Sequence, residues 1–301
     1  MPRIQKIINK HIKFYEGDIS DTNLLDKIFS ENEIYAVLHF AGLKSVNESI
    51  KNPSLYIENN LDSSKILYKT MDKFGVCKLI FSSSATIYSN KSKSPITEDS
   101  ILQPNNPYGE SKLLNEEHLY GSYNLGNHSH NNWQIVALRY FNPIGAHSSG
   151  LIGENPLGNP DNIMPIINQV AVGKHNEVKI FGNDYPTIDG TGVRDYIHVL
   201  DLVDGHIQAL EYISCTDNKI FEKINLGNGS GISVLQLINK YQEVTKQHIK
   251  YSFAPRRPGD IAESFADISK AKKILHWEPK LSLNSMIKDS WNWQKNNPTG
   301  Y

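Results

Sequence analysis

The first half of the chain alternates short β-rich runs with helical ones, and no other feature limits the fold as strongly. HIKFYEGDI (11–19), AVLHFAG (36–42) and KLIFSSSATIY (78–88) are the β-rich runs; NLLDKIFSENE (23–33) and SSKILYKTMDKFG (63–75) are the helical runs between them. This βαβαβ grammar predicts an α/β protein with a Rossmann-like, doubly wound parallel sheet, because parallel neighbours need a crossover and the crossover is usually a helix. Ligands of such sheets gather at the carboxyl ends of the strands. The residues at those ends are Asp18 and Ile19, Ala41 and Gly42, and Ser82 to Ser84. PNNPYGESKLLNEEHLY (104–120) then reads as a turn opening a helix, and WQIVALRYFNPIG (133–145) as a further strand ending at Phe141 and Asn142.

From about residue 143 the texture changes to Gly-, Pro- and Asn-rich loops, GAHSSGLIGENPLGNPDN and FGNDYPTIDGTGVRDY among them. Helical runs follow: NIMPIINQVAVGK, VLDLVDGHIQALEYI, SVLQLINKYQEVT and ISKAKKIL. The expected division is a sheet domain over residues 1–143 and a smaller, mixed α/β, mostly helical domain over 144–301 that closes on a ligand from above. No internal repeat is visible, and GNHSHNN (126–132) reads as a polar loop rather than a metal site.

Composition removes several classes of function. A 39% hydrophobic and 21% charged chain of 301 residues is ordinary for a globular protein, and a formal net charge of −1 carries no footprint for nucleic acid or an anionic membrane. Apolar runs such as IYAVLHFAGL fall far below the ~18 residues of a membrane span, and the start has no apolar signal-peptide core. Two cysteines, Cys77 and Cys215, form no metal-like or redox spacing and suit a reducing compartment. The expectation is therefore a cytoplasmic enzyme. Only five of the 31 basic residues are arginine, with Arg194, Arg256 and Arg257 in the second half. In a lysine-rich chain, an arginine points to planar, bidentate contact with a phosphate or carboxylate.

Tyr108 is the one tyrosine of 15 with a lysine, Lys112, four residues on. With so many lysines, about one such pair arises by chance, so the spacing alone does not separate a catalytic base and its helper from an aromatic and a surface lysine on one helix face.

The surroundings carry more. EGDI (16–19), HFAGLKSVNES (39–49), ENN (58–60), FSSSATIY (81–88), PYGESK (107–112), RYFNPIGAH (139–147), FGNDYPTIDGTGVRDYIHVLDL (181–202) and APRRPGD (254–260) together resemble the UDP-glucose 4-epimerases, members of the extended short-chain dehydrogenase/reductase superfamily. The blocks run in the family's order from about residue 12 onward, and the run at 181–202 is far more specific than Tyr-xxx-Lys. The resemblance implies an NAD-binding Rossmann domain, a UDP-hexose domain and a homodimer formed through two helices per subunit. One departure stands out: the family's opening strand, GxxGxxG loop, helix and second strand have no counterpart. LGNGSG (226–231) lies too far along to replace them. The simplest account is a piece of a complete epimerase lacking its first two strands and glycine loop.

In such an enzyme NAD takes a hydride from C4 while a base removes the hydroxyl proton; the 4-keto sugar then turns over and the hydride returns to its other face. The resemblance implies Tyr108 as base, Lys112 as the charge that lowers its pKa, and Ser84 as proton relay. For the cofactor it implies Asp18, Ile19, Phe40, Ala41, Gly42, Lys44, Asn59, Tyr108, Lys112 and Phe141. For the UDP-sugar it implies Ser84, Asn142, Asn162, Lys179, Phe181, Arg194, Arg257 and Asp260. Arg256 is expected to be structural. Ser264 stands four residues after the APRRxGD aspartate, where the family has either a bulky tyrosine or a small residue bordering the sugar; serine leaves space for a 2-acetamido group. A nucleotide-sugar 4,6-dehydratase shares the fold, NAD and Tyr-xxx-Lys, but requires an Asp-Glu pair after the active-site threonine, where this chain has Ser84-Ala85-Thr86. A non-catalytic, sugar-nucleotide-binding remnant is the alternative from another class.

Overall fold

A computed structural model describes residues 2–125, 132–158, 160–257 and 259–301. GNHSHNN lies outside the described residues apart from Asn132. The first half runs α1 (Pro2–Ile8), α2 (Thr22–Glu31), β1 (Val37–His39), α3 (Val46–Lys51), α4 (Pro53–Ile57), α5 (Ser63–Lys73), β2 (Lys78–Ser84), α6 (Pro107–Leu125) and β3 (Gln134–Tyr140). There follow β4 (Asn142–Ile144), α7 (Ile163–Ala171), β5 (Val178–Phe181), β6 (Val193–Arg194), β7 (Tyr196–His198), α8 (Val199–Ser214) and β8 (Ile220–Leu226). The chain closes with β9 (Ile232–Ser233), α9 (Val234–Thr245), β10 (Tyr251–Ala254), β11 (Glu263–Ser264), α10 (Ser269–Leu275) and α11 (Leu283–Asn296).

The main sheet is parallel throughout, in the order β1-β2-β3-β8. Its strands are apolar on both faces because helices cover both. Leu79, Phe81, Ile135 and Ala137 point into one core with Leu25 and Phe29 of α2 and Leu67 and Met71 of α5. Their alternates Ile80, Val136 and Leu138 point into the other with Ala209 and Ile213 of α8 and Ala271 and Leu275 of α10. A third core joins α7, α9 and α11 to β5 through Ile167, Ile180, Leu237, Tyr241 and Ile287.

Two expectations are corrected. Residues 11–19 form no strand. Among the described residues no strand is paired with the run at 11–19, so it joins no ladder, and Phe14 is left 60% exposed. The break at 143/144 does not partition the cores either: α8, β8 and α10 come from the second half yet complete the main sheet and its second face.

His39, on β1, is buried with its Nε2 2.7 Å from the Ser64 hydroxyl. Burial, helped by the charge of Lys112, lowers its pKa from 6.5 to about 3. The depressed value means that unfolding takes up a proton below pH 6.5, so this contribution to stability is complete above 6.5 and lost on acidification towards 3. Urea unfolding is expected to lose roughly 2 kcal/mol between pH 6.5 and 5 from this group. His39→Gln should flatten that part of the profile.

Candidate active site

α6 brings the Tyr-Lys pair to the end of β2. Pro107 suits the first helical position, and the Asn106 side chain accepts from Gly109 N at 2.8 Å, closing the first turn. Gly109 permits the approach: a Cβ there would meet Thr86 O at 2.5 Å. The helix therefore lies directly against the Ser84–Thr86 turn. Ser84 Oγ accepts from Thr86 N (3.2 Å) and Oγ1 (2.9 Å) and lies near enough to the Tyr108 phenol to draw its pKa down.

Lys112, one turn on, is buried; its Nζ donates to Ser82 O at 2.8 Å and sits 5.1 Å from the Phe81 ring centre and 6.0 Å from that of Tyr108. Burial depresses its pKa to about 8. Burial also pushes the Tyr108 phenol above 10, against a smaller pull from the Ser84 hydroxyl. The expected lowering of Tyr108 by Lys112 is not present here: the ammonium is turned towards a backbone carbonyl of β2 and stands off from the phenol.

Asn60 braces this arrangement, and the sequence reading passed over it in favour of Asn59. It lies in a π-helical turn, Glu58–Asp62, a geometry that recurs at functional sites. Its side chain bonds Leu43 N (2.7 Å), Leu43 O (3.0 Å) and the Ser111 hydroxyl (3.0 Å), joining the loop after β1 to α6. Asn59 is half-buried beside it. Gly42 completes the contact: with φ +155°, its added Cβ would stand 3.1 Å from Asn60 Oδ1 and 3.7 Å from Lys112 Nζ. Phe40 and Ala41 are exposed on the same loop, the Phe40 ring tilted against buried His206 with centres 4.7 Å apart, and Lys44 pairs with Glu154 at 2.9 Å. His206 and its hydrogen-bond partner Tyr140 were also missed, since nothing in DGHIQAL or ALRYF separates them from core residues.

A second cluster forms where β5, β6 and β11 end. Along β5, Val178 and Ile180 are buried while Lys179 and Phe181 face out together. Arg257 stacks 4.8 Å over Phe181 and grips Asp260 with Nε at 2.8 Å and Nη2 at 3.3 Å. Arg194 approaches the same carboxylate at 3.7 Å, and Ser264 is its register partner across β6 and β11. Asn142 N donates to Asp195 O at 2.9 Å, next in sequence to Arg194. Asn105 Nδ2 donates to Gly259 O at 3.1 Å, so the turn that opens α6 is bonded to the Arg257–Asp260 segment. Arg256 is engaged elsewhere, on Asp184 and over Tyr185.

The remaining residues are more scattered. Phe141 is buried with Ile87, Tyr88 and Ala266 beneath the Ser84 turn. Asn162 precedes α7 and donates to Glu154 at 2.9 Å. Asp18 is exposed and Ile19 half-buried in the irregular segment before α2; the Asp18 carboxylate accepts from Ser20 N, which lowers its pKa. Two surface cavities, one beside Gly182–Asp184 and Phe253–Arg256 and one beside Ile34, Tyr35 and Val76–Lys78, coincide with neither the Tyr108 turn nor the Asp260 carboxylate.

A family model described as GDP-mannose 4,6 dehydratase matches residues 2–290. The UDP-glucose 4-epimerase of Bacillus subtilis (strain 168) is 50% identical over 299 residues, covering 99% of this chain and 86% of that protein. The crystal structure of UDP-glucose 4-epimerase from Bifidobacterium longum in complex with NAD+ and UDP superposes with a TM-score of 0.93 at 47% identity, covering all of this chain and 88% of that one. A UDP-Glc/GlcNAc 4-epimerase from Campylobacter jejuni superposes at 0.82 with 34% identity, covering 97% and 87%. Among the described residues no helix is long and apolar enough to cross a membrane. With half of its residues shared with the Bacillus subtilis enzyme over nearly its whole length, the chain belongs to the UDP-glucose 4-epimerase family.

Proposed function

We infer that the protein interconverts UDP-glucose and UDP-galactose by inverting the C4 carbinol of the hexose. The observation that carries this is the convergence of Ser84, Tyr108 and Lys112 at the end of β2, on a turn bonded through Asn105 to the Arg257–Asp260 segment. NAD, when bound, supplies an acceptor for the C4 hydride and returns it.

The residues present fit the nicotinamide end of that cofactor. Gly42 keeps the loop after β1 clear of Asn60 and Lys112, and the Lys112 ammonium, with three N–H groups, has one recorded acceptor. Phe40, Ala41, Gly42, Lys44, Asn59, Tyr108, Lys112 and Phe141 would hold it, with Asp18 and Ile19 near the adenine. The loop at 40–44 would lie along the pyrophosphate and ribose.

On the protein side, Ser84 holds the 4-hydroxyl and passes its proton to Tyr108. Burial raises the Tyr108 pKa, so the phenol first gives up its own proton to solvent; the Lys112 ammonium stabilises the resulting phenolate, which then accepts the proton passed by Ser84. Lys179 and Phe181 flank the uracil; Arg194, Arg257 and Asp260 take the phosphates and ribose, with Asn142 and Asn162 at the sugar. Firm UDP binding leaves the hexose free to turn. A homodimer in the cytoplasm completes the proposal, supported by the family likeness and by two cysteines that are both free.

The test is formation of UDP-glucose from UDP-galactose by the 301-residue chain supplied with NAD. UDP binding without turnover would favour the non-catalytic reading, and a 4-keto-6-deoxy product would favour the dehydratase. Substrate breadth is tested in the same assay. Ser264 is half-buried beside Arg194, and we assign to it room for a 2-acetamido group. Ser264→Tyr is expected to cut turnover of UDP-N-acetylgalactosamine by about 10-fold or more while leaving UDP-galactose within about threefold. Failure of the parent to turn over the acetylated sugar, with no change in the variant, would refute the assignment.

A further inference from the structure

Two carboxylates tie the loop after β1 to the residues that open α7. Glu154 Oε1 accepts from Lys44 Nζ and from Asn162 Nδ2, each at 2.9 Å. Asp161 accepts from the Ser45 hydroxyl through one oxygen and from Asn47 Nδ2, at 2.7 Å, through the other. Ser45 is also the N-cap of α3, so the clasp fixes that helix end as well.

Glu154 is itself held from remote parts of the chain. Trp293 Nε1 of α11 donates to its carbonyl at 3.1 Å. The Tyr301 hydroxyl, at the chain end, donates to Gly153 O at 3.0 Å and accepts from Gly153 N at 3.2 Å. Arg3 of α1 stacks against both rings, 5.4 Å from the centre of Trp293 and 4.7 Å from that of Tyr301, and donates to Leu151 O at 3.1 Å. The first helix, the last helix and the final residue thus converge on one short segment whose single outward carboxylate reaches Lys44 and Asn162.

Resting on the reading above, in which Lys44 lies on the cofactor side and Asn162 on the UDP-sugar side, we propose that Glu154 is a positioning residue that couples the two. One oxygen serves both partners. It sets which way the Asn162 amide faces, and its charge holds in one place a Lys44 side chain that is otherwise 66% exposed. Loss of either Lys44 or the Glu154 charge loosens the shared acceptor and so disturbs Asn162, although Lys44 itself is not assigned to UDP. Coupling of this kind appears as non-additivity between the two substitutions.

The experiment is calorimetric titration of UDP into the parent, Lys44→Met, Glu154→Gln and the double variant, with melting temperatures measured alongside. Each single variant is expected to weaken UDP binding about 5-fold, and the double variant no more than the weaker-binding single. Glu154→Gln is isosteric and keeps an acceptor for Asn162, so it preserves the fold while removing the charge. Effects that multiply in the double variant overturn the proposal. A lowered melting temperature with unchanged UDP affinity also overturns it, by making the clasp purely structural. A parent that binds no UDP refutes the functional reading and takes the proposal with it, whereas the first two outcomes leave that reading standing.

Discussion

Tyr108→Phe should lower the rate of UDP-galactose turnover by about 10²–10⁴-fold, the usual range for loss of a positioned acid–base group, and leave UDP affinity within about twofold. The ring stays in place in the variant, because its edge-on contact with Tyr56 at 6.5 Å and its position on the first turn of α6 do not depend on the hydroxyl. What is removed is the phenol oxygen near Ser84, which is also the proton acceptor. Lys112 gives the reaction its alkaline limb. With its pKa depressed to about 8 by burial, the ammonium is charged below that pH and neutral above it, so turnover should fall as pH rises past about 8. Lys112→Met should abolish that limb and lower turnover at pH 7 as well. A Tyr108→Phe protein with unimpaired turnover would remove the phenol from the chemistry and leave Ser84 without a receiver for its proton.

The legible parts of this chain were those in which local pattern and tertiary role agree. The strand cores of KLIFSSS and QIVALRY are apolar at every position, as a sheet covered on both faces requires, and the structure places them as adjacent parallel strands. HIKFYEGDI has as good a strand pattern and forms none, because a strand is a property of a pair and no partner lies beside it. Tyr108, Lys112 and Ser84 were found by their neighbours in sequence, and the structure brings them together. Asn60, Glu154 and Arg3 were not, for a common reason: each has a partner far along the chain, Leu43 for Asn60, Lys44 for Glu154 and Leu151 for Arg3, at 17, 110 and 148 positions, and neither composition nor spacing encodes such pairs. The direction of the Tyr108 shift was missed because helical spacing fixes which face Lys112 shares with the phenol but not which acceptor its ammonium selects.

Arginine was read from sequence as a residue kept for planar contacts, and Arg139 gives the second large effect. It is fully buried, donating Nε to Glu116 Oε1 at 3.0 Å and Nη2 to Oε2 at 2.6 Å, with Nη1 on the Tyr88 hydroxyl at 2.9 Å and Glu98 O at 3.1 Å. Burial opposes the guanidinium charge, but the Glu116 carboxylate outweighs it and the pKa is raised. The pair bolts α6, which carries Tyr108 and Lys112, to β3. Arg139→Met leaves the Glu116 carboxylate in the core with only Ser83 recorded as a remaining donor, and should destabilise the protein by about 3–5 kcal/mol in urea unfolding. Arg139→Met combined with Glu116→Leu removes both charges and should recover most of that loss, since the penalty lies in the stranded charge more than in the missing attraction. A single variant as stable as the parent would mean that water reaches Glu116. Stability regained in the double variant without regained turnover would separate the pair's contribution to stability from its alignment of α6 against the Ser84 turn.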